Sequence, residues 1–377
     1  MRGLAAAALA AVPAMALAGS PAAELQIYFI DVEGGQSTLI VTPERETLLV
    51  DAGFAGEGTM SSDPGDPTKA RDPGRIVAAM RDAGVDHIDY LLVTHFHRDH
   101  IGGIPEVAQL VPVGTFVDHG SAYPPEQRGN LQANELLDAA AYDRYLQTRA
   151  RGRHLQPQPG DRLPLKGVDT VVVSADRATL RQPLPGAGGT NPACRPSPLT
   201  PPNPADENPR STGIVMQFGR FRFLDIGDLN GQPLYDLVCP VNRVGAVDVY
   251  LVAHHGNSTV ADPATLAAFQ PRAAVVNNAP RKGGRLALLQ MLRNAPQLES
   301  WQLHVSTEAG EGGKENAPAE RIANLDEVSG HWLKVTARAD GSFSLRNART
   351  GAVRDYGERR TTLTAPARTA IRPATEQ

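Results

Sequence analysis

The sequence predicts an α/β fold in which buried strands alternate with helices around one large core. Short apolar segments such as residues 47–50 and 248–253 are typical of buried strands, whereas residues 75–83 carry apolar side chains at helical spacing. The composition is that of a globular protein, since 41% of the 377 residues are hydrophobic and 21% are charged. Disorder throughout the chain and a coiled coil are therefore excluded.

Charge and cysteine content restrict the class of function. The formal net charge is −4, so no overall basic field would attract nucleic acid, and an anionic substrate has to be held by a local site. Nucleic acid is not excluded as a substrate, although the net charge does not indicate it. The only cysteines are Cys194 and Cys239, which excludes a cysteine-rich zinc module.

The amino terminus predicts export. Residues 1–18 have the order of a signal peptide, with Arg2 first, an apolar segment at 4–17 and Ala-Leu-Ala at 16–18 as a cleavage pattern. A disordered alanine-rich tail is the alternative. No later segment reaches 18 apolar residues, so we expect no transmembrane segment in the mature chain and a periplasmic or extracellular location. The two cysteines could pair in that compartment.

The elements are expected to form one domain, residues 24–347. The proline-rich residues 181–210 are expected to be an irregular insertion, and residues 356–377 a flexible tail. Predicted helices cover 75–83, 104–110, 131–149, 263–269 and 285–293. Predicted strands cover 25–30, 37–41, 47–50, 89–94, 113–117, 168–174, 213–218, 220–225, 248–253, 273–277, 333–337 and 342–346.

The strongest chemical signal is the segment 95–100, which follows a predicted buried strand. His95 and His97 are two residues apart and can point the same way from an extended backbone, and Asp99 and His100 follow where the chain turns. Imidazole and carboxylate ligands together suit Zn²⁺, with Mn²⁺ or Fe as alternatives. A solvated polar loop is the competing interpretation, and the density of ligand types argues against it.

Two further strand ends supply what a site for two ions still needs. Residues 223–228 end in Gly-Asp, which makes Asp228 the candidate bridging carboxylate and Asp225 its rival. Another strand ends in His254 and His255, one of which can complete the coordination of the second ion. A Gly-Asp pair is common, so it gains weight only beside the 95–100 cluster.

Four motifs follow one another along the chain: Asp51-x-Gly53, Thr94-His95-x-His97-x-Asp99-His100-x-Gly102-Gly103, Gly227-Asp228 and His254-His255-Gly256. In this order they resemble the metallo-β-lactamase fold superfamily, which implies a four-layer αββα sandwich. More narrowly, residues 29–36 and 252–256 resemble the hydrolase domain of ComEC-type competence proteins, and phosphorylcholine esterases share the His-His-Gly element. The resemblance covers residues 25–346, without the ComEC membrane channel.

The resemblance implies a division of roles. Two divalent ions, in the first instance Zn²⁺, would make a bridging water reactive. Asp51 would orient the imidazoles from behind. Asp99 and His254 would be the catalytic residues, with His254 contacting an anionic oxygen or assisting a leaving group. The implied ligands are His95 and His97 for one ion, Asp99, His100 and His255 for the other, and Asp228 between them.

One departure from the superfamily pattern lies at residues 207–212, where most members have a further histidine and this chain has none. Asn208 and Ser211 stand there, as in ComEC-type members, and are expected behind the ligands or at the substrate. The first ion is thus one protein ligand short. His119 could fill this position, and a hydrogen-bonded loop histidine is its alternative interpretation.

Polar residues after the strand at 273–277 could bind a substrate anion. They are Asn277, Asn278, Arg281 and Lys282, with an exposed polar turn as the alternative. Three functions stay open: a phosphodiesterase acting on nucleic acid or on a small molecule, a ring-opening hydrolase of the lactamase or lactonase type, and a non-catalytic binding protein with a relic site. The first follows from the narrower resemblance, and the second from fold and export alone. The retained ligand set argues against the third.

Overall fold

The computed structural model describes residues 23–59, 62–196 and 206–359, and its centre is a pair of sheets packed face to face. The signal peptide predicted at 1–18 lies outside the described residues, as do residues 360–377 of the predicted tail. No helix in the described ranges is both long and apolar enough to cross a membrane.

Eighteen strands and seven α-helices occur in the described residues. The strands are β1 (Leu25–Phe29), β2 (Thr38–Val41), β3 (Thr47–Val50), β4 (Ile88–Leu92), β5 (Val113–Val117), β6 (Arg153–Leu155), β7 (Arg162–Leu163), β8 (Asp169–Ala175), β9 (Ala178–Thr179), β10 (Gly213–Phe218), β11 (Phe221–Asp225), β12 (Val249–Leu251), β13 (Ala273–Val276), β14 (Glu299–His304), β15 (Ile322–Asn324), β16 (Leu333–Ala337), β17 (Phe343–Asn347) and β18 (Val353–Tyr356). The helices are α1 (Arg71–Ala83), α2 (Arg98–Ile101), α3 (Ile104–Leu110), α4 (Ala133–Arg149), α5 (Gly231–Val238), α6 (Pro263–Phe269) and α7 (Leu286–Asn294).

Each sheet combines an antiparallel part with a parallel part. The first has the order β18-β17-β16-β1-β2-β3-β4-β5-β6 and is parallel from β3 to β6. The second has the order β15-β14-β13-β12-β11-β10-β8-β7, with β9 beside β8, and is parallel from β11 to β15. Loops that follow parallel strands gather at the carboxyl edge of a sheet, which is where α/β proteins place their sites.

Apolar side chains divide the molecule into four layers. Phe29 and Phe223 belong to the core between the two sheets, where their rings meet edge to face. The outer core of the first sheet includes Met80 of α1 and Tyr145 of α4, and that of the second includes Phe269 of α6. Helices therefore cover both outer faces, and the predicted four-layer αββα sandwich is confirmed.

The predicted elements recur with shifts at their ends. The strand at 113–117 and the helices at 104–110 and 263–269 have the predicted bounds. Helix α1 begins at Arg71 rather than at residue 75, because Pro73 is tolerated in a first turn that needs no amide donor. Strands β6, β7, β9, β14, β15 and β18 and helices α2 and α5 were not predicted. Strand β18 carries the first sheet to Tyr356, past the predicted domain end at 347.

A disulfide and hydrogen bonds join the described part of the proline-rich insertion to the helices α5 and α6, which cover the second sheet. A disulfide joins Cys194 to Cys239, directly after α5. The Asn191 amide donates to the carbonyls of Val238 and Ala264. The pairing that the cysteine spacing left open is therefore present.

Candidate metal centre

The predicted site residues meet where the parallel strands of the two sheets end. The loops that carry them are short, so each side chain is placed within a few residues of a strand held in its sheet. The residues after β3 and β4 are Asp51, His95, His97, Asp99 and His100, and those after β11 and β12 are Asp228, His254 and His255.

Four of these side chains form a tight group, which we call the four-residue group: Asp99, His100, Asp228 and His255. One ligand atom from each lies within 4.8 Å of all the others. The Oδ2 atom of Asp228 is 3.1 Å from Nε2 of His255 and 3.5 Å from Nε2 of His100. The Oδ2 atom of Asp99 is 3.2 Å and 3.4 Å from the same two nitrogens. Two carboxylates and two imidazoles thus converge on one point.

A second pair of imidazoles lies beside this group. Nε2 of His95 is 2.9 Å from Nδ1 of His97 and 3.9 Å from Oδ2 of Asp228. On another side, Nε2 of His254 is 3.8 Å from the same Asp228 oxygen. Asp228 therefore stands between the His95–His97 pair and the four-residue group. Its sequence rival, Asp225, accepts hydrogen bonds from Nε2 of Gln36 at 3.0 Å and from the Gly227 amide at 3.0 Å, away from the imidazoles.

A buried carboxylate orients His100. Oδ2 of Asp51 lies 2.7 Å from Nδ1 of His100, and the Asp51 carboxylate also accepts from the Thr94 amide and hydroxyl. An imidazole that donates Nδ1–H presents the lone pair of Nε2, the atom that faces Asp99 and Asp228. Burial raises the pKa of Asp51, and His100 and Thr94 oppose that rise.

Close backbone packing fixes the ligand-bearing turns. Asp51, His254 and His255 have φ values of 58°, 51° and 52°, in the left-handed region that costs energy for non-glycine residues and often marks functional sites. A Cβ atom on Gly35 would lie 2.3 Å from the Asp99 carbonyl, and one on Gly283 would lie 2.1 Å from the His255 carbonyl. These two glycines let neighbouring turns press directly against the ligands.

The charges of the site favour a cation. Burial alone would raise the pKa of Asp228, but the neighbouring imidazoles outweigh it and hold that pKa well below its usual range. Burial likewise opposes ionisation of Asp99, and Lys282 and His100 lower its pKa well below 3.8. Burial, followed by the charges of His100 and His97, lowers the pKa of His95 and leaves a neutral imidazole. Burial alone would lower the pKa of His100, but the neighbouring carboxylates outweigh it and raise that pKa well above 6.5, so the group already stabilises a positive charge at its centre.

The residues present fit a divalent metal. Oδ1 of Asp228 and Nδ1 of His255 are buried without a hydrogen-bond partner among the described residues, so the Asp228 carboxylate has an oxygen to spare. Imidazole nitrogen and carboxylate oxygen are donors that suit Zn²⁺, Mn²⁺ and Fe. The four-residue group, with His95 and His97 beside it, is where such ions would be held.

His119 lies behind the histidine loop and is engaged by a carboxylate. Its Nε2 is 3.0 Å from Oε2 of Glu207, which also accepts from the Phe96 amide at 3.3 Å. The other Glu207 oxygen accepts from Arg210 at 2.7 Å. Hydrogen bonds and charge from His119 and Arg210 overcome the effect of burial and lower the pKa of Glu207 to about 2. Sequence reasoning missed Glu207, since 88 residues separate it from His119.

Asn208 and Ser211 contact two different histidines. Nδ2 of Asn208 is 3.4 Å from Nε2 of His254, and Oδ1 of Asn208 is buried without a partner among the described residues. Oγ of Ser211 lies 3.5 Å from Nδ1 of His95, the ring nitrogen that does not face His97. Both residues therefore adjoin the site, Asn208 at the cleft and Ser211 behind the candidate ligand His95.

The residues after β13 separate into three positions. Asn277 and Asn278 are buried: the first donates to Oε1 of Gln36, and the second to the Ala279 and His304 carbonyls. Arg281 is exposed and is not among the residues that line the cleft. Lys282 lines the cleft, where its ammonium contacts Asp99 and lies 5.4 Å from the centre of the Phe54 ring.

An open cleft of about 250 Å³ gives access to the site. Three members of the four-residue group line it, namely Asp99, Asp228 and His255, together with polar side chains that are not part of the group. Among them are His97, Arg98, Asn134, Asn208, His254 and Lys282.

A second charged cluster lies under the Gly34-Gly35 turn. Nε2 of His304 is 3.2 Å from both Asp31 and Glu33, and Nη1 of Arg75 contacts the same carboxylates at 2.8 Å and 3.2 Å. Two cations thus balance two anions, which is the arrangement of a structural ion-pair network. The sequence offered no signal for it, since His304 is 273 residues from Asp31.

Comparison with known proteins agrees with this architecture. Residues 30–190 match the family model described as the metallo-beta-lactamase superfamily. No curated protein matches the chain.

Solved structures similar to this chain include two metallo-beta-lactamases and one hydroxylase. A Cronobacter sakazakii metallo-beta-lactamase with a mutated HARLDQ motif is 17% identical, with a TM-score of 0.30, over 53% of this chain and 60% of that chain. The subclass B3 enzyme MEM-A1 from a soil metagenome is 15% identical, with a TM-score of 0.31, over 73% and 75%. CmlA, a diiron beta-hydroxylase from Streptomyces venezuelae, is 14% identical, with a TM-score of 0.36, over 68% and 45%. The match spans less than two thirds of the Cronobacter and Streptomyces chains.

Proposed function

We propose that this chain, whose residues 30–190 match the metallo-beta-lactamase superfamily, is a metal-dependent hydrolase that cleaves a phosphodiester outside the cytoplasm. The observation that carries the proposal is the position of Asp228. Its Oδ2 lies within 3.9 Å of imidazole nitrogens from two different strand ends, and its Oδ1 has no partner among the described residues. A carboxylate so placed can serve two cations at once.

Divalent ions held by these residues would lower the pKa of a bound water and stabilise attacking and leaving oxygens together. The protein's own residues provide the rest of the chemistry. Asp51 keeps the His100 imidazole in the tautomer that binds metal. Nε2 of His254 lines the cleft within 3.8 Å of Asp228, in reach of a leaving oxygen that needs a proton. Burial lowers the pKa of His254, so its ring is neutral and would first take the proton that the attacking water releases before passing it to the leaving oxygen.

An anionic substrate is supported by the cleft walls. The Lys282 ammonium stands beside Asp99, and the amide of Asn208 lies next to His254. Both side chains can contact the non-bridging oxygens of a phosphodiester, as ammonium and amide groups commonly do. The Cys194–Cys239 disulfide supports an oxidising location, which is where such bonds persist.

Turnover of three substrate classes by the purified chain tests this proposal. The chain is stripped of metal, reloaded with Zn²⁺ or Mn²⁺, and assayed with bis(p-nitrophenyl) phosphate, a β-lactam and a lactone. We expect hydrolysis of the phosphodiester and its loss in Asp228→Asn with an unchanged circular dichroism spectrum. Hydrolysis of the lactam or lactone alone, or of none of the three, would overturn the proposal.

A further inference from the structure

We infer that this chain holds its two cations unequally: one is resident in the four-residue group, and the other is bound weakly by His95 and His97. The inference rests on the proposed metal-dependent function, and it concerns which residues retain an ion rather than which substrate is cleaved.

The four-residue group is built for retention. It offers four donor side chains, of which His100, Asp228 and His255 are each at most 3% exposed. Residues outside the group hold two of its members in place. Asp51 holds His100, and the backbone amide of Gln36 donates to the Asp99 carbonyl at 3.1 Å. Because these side chains are already ordered, binding a cation costs little conformational entropy, although the Lys282 ammonium would have to move away from the Asp99 oxygen that it contacts.

The His95–His97 pair offers fewer donors. Neither imidazole belongs to the four-residue group, and among the described residues the carboxylate within 4 Å of His95 is Asp228, at 3.9 Å, which the other ion would share. His97 lines the open cleft, so solvent reaches this side of the site. An ion there would draw its remaining ligands from water or from an oxygen of the substrate.

The segment that borders this pair positions the histidines without adding a charged ligand. Both oxygens of Glu207 are engaged, one by Phe96 and His119 and the other by Arg210. Ser211 approaches His95 from the ring nitrogen turned away from His97. Glu207 thus fixes the backbone between His95 and His97, and the pair keeps two imidazoles and one shared carboxylate.

Titration of the metal-stripped full chain with Zn²⁺, followed by calorimetry and by elemental analysis after gel filtration, tests the inference. We expect two binding events that differ about tenfold or more in dissociation constant, with one ion per chain retained through the column. His97→Ala should abolish the weaker event and keep the retained ion, whereas His255→Ala should lose the retained ion.

Two ions retained with equal affinity would overturn the inference, as would loss of the retained ion in His97→Ala. The unaltered chain decides the first point even if a variant fails to fold. The result is separate from the substrate assay: unequal binding without phosphodiester turnover supports the inference and refutes the proposed function. Equal binding with turnover does the reverse.

Discussion

Asp51 and His100 lie on neighbouring strand ends, 2.7 Å apart, and neither side chain is exposed to solvent. Asp51 in turn accepts hydrogen bonds from the Thr94 amide and hydroxyl, so the carboxylate that holds the imidazole is itself held by two donors. The orientation of one ligand therefore depends on a residue that does not face the proposed ions.

Replacing this carboxylate should weaken metal binding without removing a ligand. We expect Asp51→Asn to lower Zn²⁺ affinity about 10- to 100-fold, because the amide does not enforce the tautomer that presents Nε2. Calorimetric titration measures the effect. Asp225→Asn is the matched control, since Asp225 is equally buried and burial raises its pKa to about 7, yet it contacts Gln36 rather than a histidine. Equal affinities for both variants would contradict the role of Asp51.

The turn at Gly35 should be intolerant of any side chain. A Cβ atom there would lie 2.3 Å from the Asp99 carbonyl, so Gly35→Ala must displace the backbone that carries Asp99. We expect a loss of about 1–3 kcal/mol in the free energy of unfolding together with weaker metal binding. Gly74→Ala is the control, because among the described residues no atom outside its chain neighbours and its own helix backbone lies within 4 Å of its Cβ position. Wild-type unfolding and metal content in Gly35→Ala would show that the turn does not brace Asp99.

Contacts between residues close together in the sequence could be predicted, whereas contacts between residues far apart in the sequence could not. The segment 95–100 indicates a metal site from sequence alone, because four candidate ligands, three histidines and one aspartate, lie within six residues after a strand. The sequence preferred Asp228 to Asp225, and the structure gives the physical difference: Asp225 contacts Gln36, 189 residues away, whereas Asp228 faces the imidazoles. The partners of His119 and His304 lie 88 and 273 residues away, and no local pattern reports such pairs.

The sequence did not predict strands that bury polar residues or that lie at the exposed edge of a sheet. Strand β14 ends at His304 and contains Gln302, and both polar side chains are fully buried, so its sequence lacks an apolar run. The Gln302 amide donates to Asn316, and Nε2 of His304 contacts Asp31. Strand β18 is an edge strand with three exposed residues before Tyr356, and it resembles a tail. Tertiary contacts, rather than local propensity, determine both elements.

The free energy of unfolding should fall at alkaline pH. Burial alone would lower the pKa of His304, but its bonds to Asp31 and Glu33 outweigh burial and raise that pKa to about 9. A raised pKa stabilises the fold fully below the unfolded value of 6.5, and this stabilisation is lost as the pH rises through about 9.

Denaturant unfolding of the metal-stripped chain at pH 7 and pH 10 measures this loss, which should reach up to about 3 kcal/mol. His304→Asn removes the titrating group, so its loss over the same range should be smaller. An equal loss in the variant and the unaltered chain would assign the pH dependence to other groups.

Lys282 should govern substrate affinity rather than the fold. Lys282→Met removes the ammonium beside Asp99, and we expect KM for an anionic phosphodiester to rise about tenfold, since a charged hydrogen bond contributes about 1.5–3 kcal/mol. Lys282→Arg should restore part of the affinity. Arg281→Met is the control, because Arg281 is exposed outside the cleft. Steady-state kinetics at fixed ionic strength decide the matter, and an equal change in KM for both methionine variants would refute the assignment.

The central claim is that side chains from both sheets converge on divalent cations at Asp228. Anomalous diffraction at the zinc edge, from crystals of the chain loaded with Zn²⁺, tests it most directly. The account predicts a peak enclosed by Asp99, His100, Asp228 and His255, with a second, weaker peak beside His95 and His97. Absence of a peak at Asp228, or zinc bound at some other place instead, would contradict the account.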